Sequence, residues 1–346
     1  MQSTDFTIIG ENIHTTRIVM RNGKRVGMDN NGNQVMLYKN VDGNSSMMPI
    51  PDAFKKTQVY QEGRVKHFMI AVTLGMSSSS VERKSGEDYI LSEIIKQERA
   101  GSNFLDLNID EISYKLDIQK EAMKWLVGFY ASVASIPPSI DSSSTAILEV
   151  GLAEYKKQNS PQGNPLVNSA SLERIDILDI VLDNNASVVV TASGSDSMPT
   201  DAKERFDNAS LMIDKCLSKS IPLNKIHVDA LLFPISVDQQ FGHHYLDAVK
   251  MLRKEYGPEI NISGGLSNVS FGLPARKLIN DTFIRIAMEA GVDSGIINPV
   301  ESNLDRILNL DMSSNEIRIA LEMLLGQDEF CMNFIKQYRE GNLKNY

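Results

Sequence analysis

The sequence predicts an α/β protein, a (β/α)8 TIM barrel with a small β-hairpin insertion after the first strand. Three observations support this prediction. Short apolar runs alternate with helical patterns, eight such runs fit a chain of 346 residues, and polar side chains stand at the ends of most runs. Strands that alternate with helices are parallel, and eight units over this length favour a closed barrel over an open sheet. We expect residues 1–346 to form a single domain.

The first predicted strand is FTIIG (6–10), and seven more apolar runs follow the insertion. They are NFLDL (103–107), PPSID (137–141), PLVN (165–168), SVVVT (187–191), KIHVD (225–229), INISG (260–264) and SGIIN (294–298). Each run is short enough for a buried strand. Helical patterns separate them at 87–100, 113–133, 143–157, 171–184, 201–219, 238–255 and 276–290, and three more at 300–309, 314–325 and 328–340 complete the outer ring.

The insertion, residues 17–65, has a different pattern from the rest of the chain. RIVMR and QVMLY are strand-like, and the turn residues Asn22-Gly23 and DNNGN (29–33) predict a small layer of hairpins. GNSSMMPIP (43–51) predicts an irregular loop. Because the insertion leaves from the C-terminal end of the first strand, we expect it beside the active site. It could be a lid, a partner-docking surface, a dimer element or a structural elaboration only.

Composition limits the classes of function. With 35 basic and 44 acidic residues, the net charge is −9, which argues against a dedicated nucleic-acid binder. Two cysteines, Cys216 and Cys331, can form neither a disulfide framework nor a zinc cluster, which indicates a reducing compartment. The N-terminus is polar, and no apolar run approaches the roughly 20 residues that span a bilayer. We therefore expect a cytoplasmic protein without a membrane partner.

The polar residues at the strand ends are the main functional signal. In a (β/α)8 barrel the C-terminal ends of the strands converge, and active sites are built there. Each such residue could instead cap the following helix, but capping alone explains six of eight strand ends poorly. The residues concerned are Glu11, Asn12, Asp106, Asn108, Asp141, Asn168, Asp229 and Asn268.

This set is rich in carboxylates and amides, which suit a neutral heterocycle held by directional hydrogen bonds. It suits a polyphosphate badly, since the sequence has no glycine-rich phosphate loop and GGLSN (264–268) is a weak anion signal. The five histidines lack metal-ligand spacing, so no metal is predicted, although a carboxylate-bound Mg²⁺ stays open.

Several segments, in order, resemble the pterin-binding barrel family over about residues 1–16 and 87–340. They are IIGENIHTT, GSNFLDLN, SIDSSSTAILEVGL, PLVNSAS, IHVDALLFP and GLSNVSFGLPARKLINDTF. The last segment is the most specific. It is similar to methyltetrahydrofolate:corrinoid-protein methyltransferases and to the folate domain of cobalamin-dependent methionine synthase. The resemblance to dihydropteroate synthases is weaker, because the basic site that those enzymes use is not found here.

The resemblance implies roles for the strand-end residues. Asp141, Asn168 and Asp229 match residues that hydrogen-bond the pterin ring. Asn268 matches the asparagine near pterin N5 and is the predicted catalytic residue. The remaining predicted substrate-binding residues are Asp106, Asn108, Glu11 and Arg276. The arginine is expected near the folate tail or the N5 network, or else in a structural salt bridge.

The implied activity is methyl transfer between N5 of 5-methyltetrahydrofolate or tetrahydrofolate and the cobalt of a corrinoid. N5 is a poor leaving group, so an amide that stabilises its protonated state would favour the transition state. The sequence has no DxHxxG-type cobalamin signature, so a separate corrinoid protein is the expected partner. A homodimer is also expected.

Other readings stay open, and the chain departs from the family pattern at three positions. One alternative is another pterin-dependent transferase, such as a dihydropteroate synthase-like enzyme. Others are a non-catalytic folate-binding subunit and a barrel of unrelated chemistry. Asn12 stands where the family usually has Arg, His14 where Asn is usual, and Ala230 where Pro is common.

Overall fold

The computed structural model describes residues 5–159 and 161–343, so the polar chain start at residues 1–4 lies outside the described part. In chain order the strands are β1 (Thr7–His14), β2 (Val19–Met20), β3 (Val26–Met28), β4 (Gln34–Lys39), β5 (Ser45–Pro49), β6 (Arg64–Val65), β7 (Phe104–Asn108), β8 (Pro138–Asp141), β9 (Leu166–Ala170), β10 (Ser187–Thr191), β11 (Ile226–Asp229), β12 (Asn261–Ser263) and β13 (Ser294–Ile297).

The helices alternate with the later strands. They are α1 (Asp52–Lys55), α2 (Gln58–Gln61), α3 (His67–Gly75), α4 (Ser80–Arg99), α5 (Leu116–Val133), α6 (Thr145–Lys157), α7 (Ile177–Asp183), α8 (Ala202–Ser218), α9 (Phe241–Tyr256), α10 (Arg276–Ala290), α11 (Leu304–Leu308), α12 (Asn315–Leu324) and α13 (Met332–Glu340). Short 3-10 turns occupy Leu223–Lys225, Leu266–Ser270 and Glu329–Cys331. Across the described residues, no helix combines the length and apolar character needed to cross a bilayer.

Eight strands form one sheet, in the order β12-β11-β10-β9-β8-β7-β1-β13. The pairs β7–β8, β10–β11 and β11–β12 are parallel. This order follows the chain from β7 to β12, as expected when each helix crosses over to the next parallel strand. The predicted α/β class, the (β/α)8 barrel and all eight of its strands are confirmed.

The chain divides into two compact units, Gly10–Leu166 and a second one made of Met1–Ile9 with Val167–Tyr346. The single-domain organisation stays a prediction. In the first unit, α3 and α4 pack closely because Gly86 has no side chain. A Cβ atom at Gly86 would lie 2.3 Å from the carbonyl oxygen of Ala71. In the second unit, the three valines of β10 are fully buried, as expected for a central strand.

The insertion is built as predicted from antiparallel strands, with two corrections. β3, β4 and β5 form a three-stranded sheet in which Met36 faces Met48, and both side chains are fully buried. The prediction of an irregular loop at 43–51 is therefore wrong. The serines and prolines of this segment are not typical of a strand, so β5 can be recognised only from its pairing with β4. In addition, β2 pairs with β6 rather than across the Asn22-Gly23 turn.

The first strand is longer than predicted. FTIIG was expected to end at residue 10, but β1 continues to His14, so Glu11 and Asn12 lie within the strand rather than after it. Hydrogen bonding between β1 and β7 extends to this end of the strand, where the backbone N–H of Thr15 donates to the carbonyl oxygen of Asn108. Helix α4 likewise begins earlier than the predicted residue 87, because the Ser79 side chain caps it.

Candidate functional site

The register of β7 and β8 brings four of the polar side chains of the first unit together. Asn108 lies directly opposite Asp141, and Asp106 lies opposite Ser139. The Asn108 Nδ2 atom donates to Asp141 Oδ2 at 2.9 Å, and the Ser139 hydroxyl donates to Asp106 Oδ1 at 2.6 Å. Asp106 is almost fully buried, whereas about a fifth of the Asp141 side chain is exposed. Asp141 is thus the more accessible of the two carboxylates.

The turn after β8 is fixed by a carboxylate that the sequence analysis missed. Asp110 accepts hydrogen bonds from the Ser142 hydroxyl at 2.6 Å and from the Ser143 N–H and hydroxyl at 2.8 and 2.7 Å. Since this turn follows Asp141 directly, Asp110 limits the movement of that strand end. The run SIDSSS contains the necessary hydroxyls, but the sequence does not reveal their partner.

His14 lies at the end of β1 and contacts the same carboxylate as Asn108. Its Nε2 atom is 3.3 Å from Asp141 Oδ2. On the other side of the ring, Nδ1 is 3.3 Å from the Thr16 backbone nitrogen and 2.5 Å from the Thr16 hydroxyl. Burial lowers the pKa of His14, and the opposing effect of nearby carboxylates does not reverse this. The ring is therefore neutral near pH 7.

Two other residues of β1 have partners within the first unit. The Glu11 carboxylate forms an ion pair with Arg17 at 2.7 Å, and Arg17 also donates to the Glu11 carbonyl oxygen. Asn12 donates to the Glu93 carboxylate of α4 at 3.0 Å. The substrate-binding role of Glu11 stays a prediction. Its pairing with Arg17 gives it a structural role that the sequence analysis did not anticipate.

In the second unit, Asp229 ends β11 and is held by the main chain. Its Oδ1 atom accepts the backbone N–H of Leu231 at 2.8 Å, and the carbonyl oxygen of Leu231 accepts from the buried Arg205 guanidinium at 3.2 Å. Loss of hydration raises the pKa of Asp229 to about 6, although the Leu231 N–H and the Arg205 charge oppose this change. The carboxyl therefore changes its charge just below neutral pH.

Asn268 lies on the 3-10 turn that follows β12. Its backbone N–H donates to the carbonyl oxygen of Gly265 at 3.0 Å, and its side chain is half-buried. A Cβ atom at Gly265 would lie 2.8 Å from Asn268 Nδ2, closer than packed atoms approach. The glycine thus leaves room for the Asn268 amide in its present orientation. The segment GGLSN contains both residues, but the sequence does not show that the Asn268 amide approaches Gly265 so closely.

Arg276 supports the same turn. Its Nε atom donates to the Ser270 hydroxyl at 2.9 Å, and Nη2 donates to the carbonyl oxygen of Ser267 at 3.1 Å. The guanidinium also lies 4.6 Å from the centre of the Phe271 ring, within cation–π range. These contacts favour the structural alternative for Arg276, through hydrogen bonds to the turn. Its proximity to the folate tail stays a prediction.

Asn168 is the remaining predicted residue, and it lies within β9 rather than at its end. The Asn168–Ser169 peptide bond is cis, and Arg174 donates to the Ser169 carbonyl oxygen at 2.6 Å. Across residues 5–159 and 161–343, no group of three His, Cys, Asp or Glu side chains is arranged to hold a metal ion.

Comparisons with known proteins place the chain in a family. Residues 75–298, more than half of the chain, match the model of the pterin binding enzymes. A methylcorrinoid:tetrahydrofolate methyltransferase of Eubacterium limosum is 27% identical over 269 residues, which cover 76% of this chain and 92% of that protein. Methionine synthase of Mycobacterium leprae is 28% identical over 249 residues, 66% of this chain but only 20% of the synthase.

Solved structures agree on the fold. Dihydropteroate synthase of Xanthomonas albilineans has a TM-score of 0.52 at 14% identity, covering 66% of this chain and 86% of that one. The Stenotrophomonas maltophilia enzyme has a TM-score of 0.52 at 13% identity, covering 64% and 86%. At such low identity these likenesses show the fold alone. The family match, by contrast, confirms the resemblance seen in the sequence: this chain belongs to the pterin-binding enzymes.

Proposed function

We propose that this chain is a methyltransferase that moves a methyl group between N5 of tetrahydrofolate and the cobalt of a separate corrinoid protein. The observation that carries the proposal is the position of the Asn268 amide. It lies on a turn to which Arg276 donates a hydrogen bond, and the absence of a side chain at Gly265 leaves space for it. The similarity to the Eubacterium limosum methyltransferase, over nearly its whole length, gives independent support.

The pterin ring would be bound by Asp141, Asn168 and Asp229. A pterin presents ring N–H and amino donors, which carboxylate oxygens accept, and ring acceptors, which an amide N–H can satisfy. Asp141 is partly exposed and its orientation is restrained by Asn108. The chemistry of these side chains fits a flat neutral heterocycle better than an anion. Asp106 and Asn108 are further proposed substrate-binding residues of the first unit.

Asn268 would act at N5. When the methyl–N5 bond breaks, N5 must gain a proton or a strong hydrogen bond, and an oriented amide can stabilise that change in the transition state. The reverse reaction uses the same contact to guide N5 as it loses its proton. The corrinoid supplies the cobalt that accepts or donates the methyl group. The chain itself binds, orients and stabilises the folate, which is mainly catalysis by positioning.

The corrinoid protein is a proposed partner, as is a second copy of this chain in a homodimer. The Eubacterium limosum relative is named as a methylcorrinoid:tetrahydrofolate methyltransferase. This sequence has no DxHxxG-type cobalamin-binding signature. A docked corrinoid protein would have to present cobalt to N5.

Replacing Asn268 with Ala tests the proposal. We expect kcat for methyl transfer from methyltetrahydrofolate to free cob(I)alamin to fall about 100- to 1000-fold. The Kd for the folate should change only a few-fold, because the amide acts mainly on the transition state. Asn309→Ala is the control, since its amide bonds only locally, to the Asp305 carbonyl oxygen of α11. Its kcat should match the wild type.

The rival functions give different results in the same assay. A non-catalytic folate-binding subunit would bind folate without any turnover in the wild type. A dihydropteroate synthase-like enzyme would condense a pterin with an aromatic amine and leave cob(I)alamin unmethylated. Either result would contradict the proposal.

A further inference from the structure

The hydrogen bonds around His14 determine which ring nitrogen carries the proton. The backbone N–H of Thr16 can only donate, so Nδ1, which it faces at 3.3 Å, must accept. The Thr16 hydroxyl, 2.5 Å from Nδ1, can donate to the same atom. In a neutral ring the proton is then on Nε2. That atom is 3.3 Å from Asp141 Oδ2, so the Nε2–H donates to the carboxylate.

We propose that His14 is a positioning residue that orients Asp141 to receive the pterin. This inference rests on the proposed function, because it assumes that Asp141 binds the folate ring. His14 Nε2 and Asn108 Nδ2 approach the same oxygen, Oδ2, at 3.3 and 2.9 Å. Two donors on one oxygen restrict rotation of the carboxylate, which gives Oδ1 a defined direction as well.

The charged groups that face His14 are consistent with a neutral donor. Asp106, Asp110 and Glu11 favour the protonated ring, whereas Arg17 and burial oppose it, and burial has the largest effect. A second proton would have to sit on Nδ1, where it would face the Thr16 N–H. The neutral ring therefore keeps its hydrogen bonds at both nitrogens, while the imidazolium would lose the one from the Thr16 N–H.

The side chain at position 14 must be long enough for this role. The amide nitrogen of Asn would stand near the position of Nδ1, next to Thr16, and would not reach Asp141. The amide nitrogen of Gln is one bond farther from the backbone, near the position of Nε2, and can donate as the imidazole does. Asn at position 14 would therefore not make this contact, whereas Gln could.

Three variants and one control test the inference by calorimetric titration with tetrahydrofolate. His14→Ala and His14→Asn should raise the Kd about tenfold, the effect of losing a hydrogen bond to a charged group. His14→Gln should restore the Kd to within a few-fold of the wild type. In all three, kcat should change less than the Kd. His243→Gln is the control, because His243 forms a similar contact with Asp247 at 3.1 Å on the exposed face of α9.

A second measurement does not depend on folate. The ¹⁵N spectrum of the ligand-free protein at pH 7 should show His14 as the neutral tautomer with its proton on Nε2, and Asp141→Asn should shift that nitrogen signal. A proton on Nδ1, or a Kd that His14→Ala leaves unchanged, would overturn the inference. If the wild type binds no folate at all, the proposed function fails, while the spectrum still decides whether His14 donates to Asp141.

Discussion

Asp141 and Asn268 are held in place in different ways. Asp141 is restrained by other side chains, since Asn108 and His14 both contact its Oδ2 atom. Asn268 is positioned by the main chain of its own turn, by the absence of a side chain at Gly265, and by Arg276 bonded to the same turn. The first residue is a proposed ligand of the pterin, and the second is the proposed catalytic amide.

This difference has a consequence for mutations. Around Asp141, a substitution of a neighbouring side chain removes one hydrogen bond and leaves others, so its effect should be graded and should appear in folate affinity. Around Asn268, a change in backbone or glycine geometry moves the amide itself, so its effect should appear in turnover.

Among substitutions of the residues that surround Asp141 and Asn268, Gly265→Ala has the largest expected effect. The added methyl group would lie 2.8 Å from Asn268 Nδ2, and the amide, as the end of a flexible side chain, would turn away while the fold is kept. We expect kcat to fall about 100-fold, as for loss of an oriented donor, with little change in melting temperature. Gly128→Ala is the control, because its Cβ atom would meet Glu154 at an ordinary 3.5 Å. An unchanged kcat in Gly265→Ala would show that the amide orientation is not needed.

A smaller effect is expected for Asn108→Ala. It removes the 2.9 Å hydrogen bond to Asp141 and the 3.0 Å hydrogen bond that Asn108 Oδ1 accepts from the Asp110 N–H. The contact of Asp141 with His14 stays, so the Kd for tetrahydrofolate should rise about tenfold while kcat stays near the wild-type value. The control is Asn184→Ala, whose amide bonds only to the Ile180 carbonyl oxygen of α7. A fall in kcat without a change in Kd would contradict the assignment of Asp141 to binding.

The last effect is the pH dependence from Asp229, which is at most as large as that of Asn108→Ala. Its pKa of about 6 means that the carboxylate is lost as pH falls below that value. Folate affinity measured by titration should weaken by up to about tenfold between pH 7 and pH 5, and Asp229→Asn should remove this dependence.

The same raised pKa of Asp229 makes its ionised carboxyl unfavourable to folding, so its stability contribution is present at low pH and lost as pH rises through 6. Asp229→Asn should therefore raise the melting temperature more at pH 8 than at pH 4.

The sequence was sufficient to predict the eight barrel strands, because each is an apolar run between helical patterns and local hydrophobicity decides such elements. It was insufficient for β5 in the insertion. That strand consists of two serines, two methionines and a proline, without alternation of polar and apolar residues, and owes its structure to pairing with β4. Pairing of β2 with β6 depends on residues more than 40 positions apart, which local patterns do not encode.

The candidate site was predictable in part for a related reason. Asp141, Asp229 and Asn268 could be named as candidates because strand ends and the family resemblance identify them one at a time. The contacts of His14 and Asp110 depend on which strand neighbours which and in what register, and no single-strand pattern contains that information. The role of Gly265 is evident only in the folded structure, because it depends on how closely the Asn268 side chain approaches the Gly265 backbone.

The most direct test of the account is calorimetric titration of the wild type and of Asp141→Ala with methyltetrahydrofolate and with tetrahydrofolate. We expect micromolar binding of both folates by the wild type and its loss in the variant, which keeps its melting temperature. Absence of binding to either folate would contradict the methyltransferase proposal, and equal binding by Asp141→Ala would contradict the assignment of the pterin to this strand end.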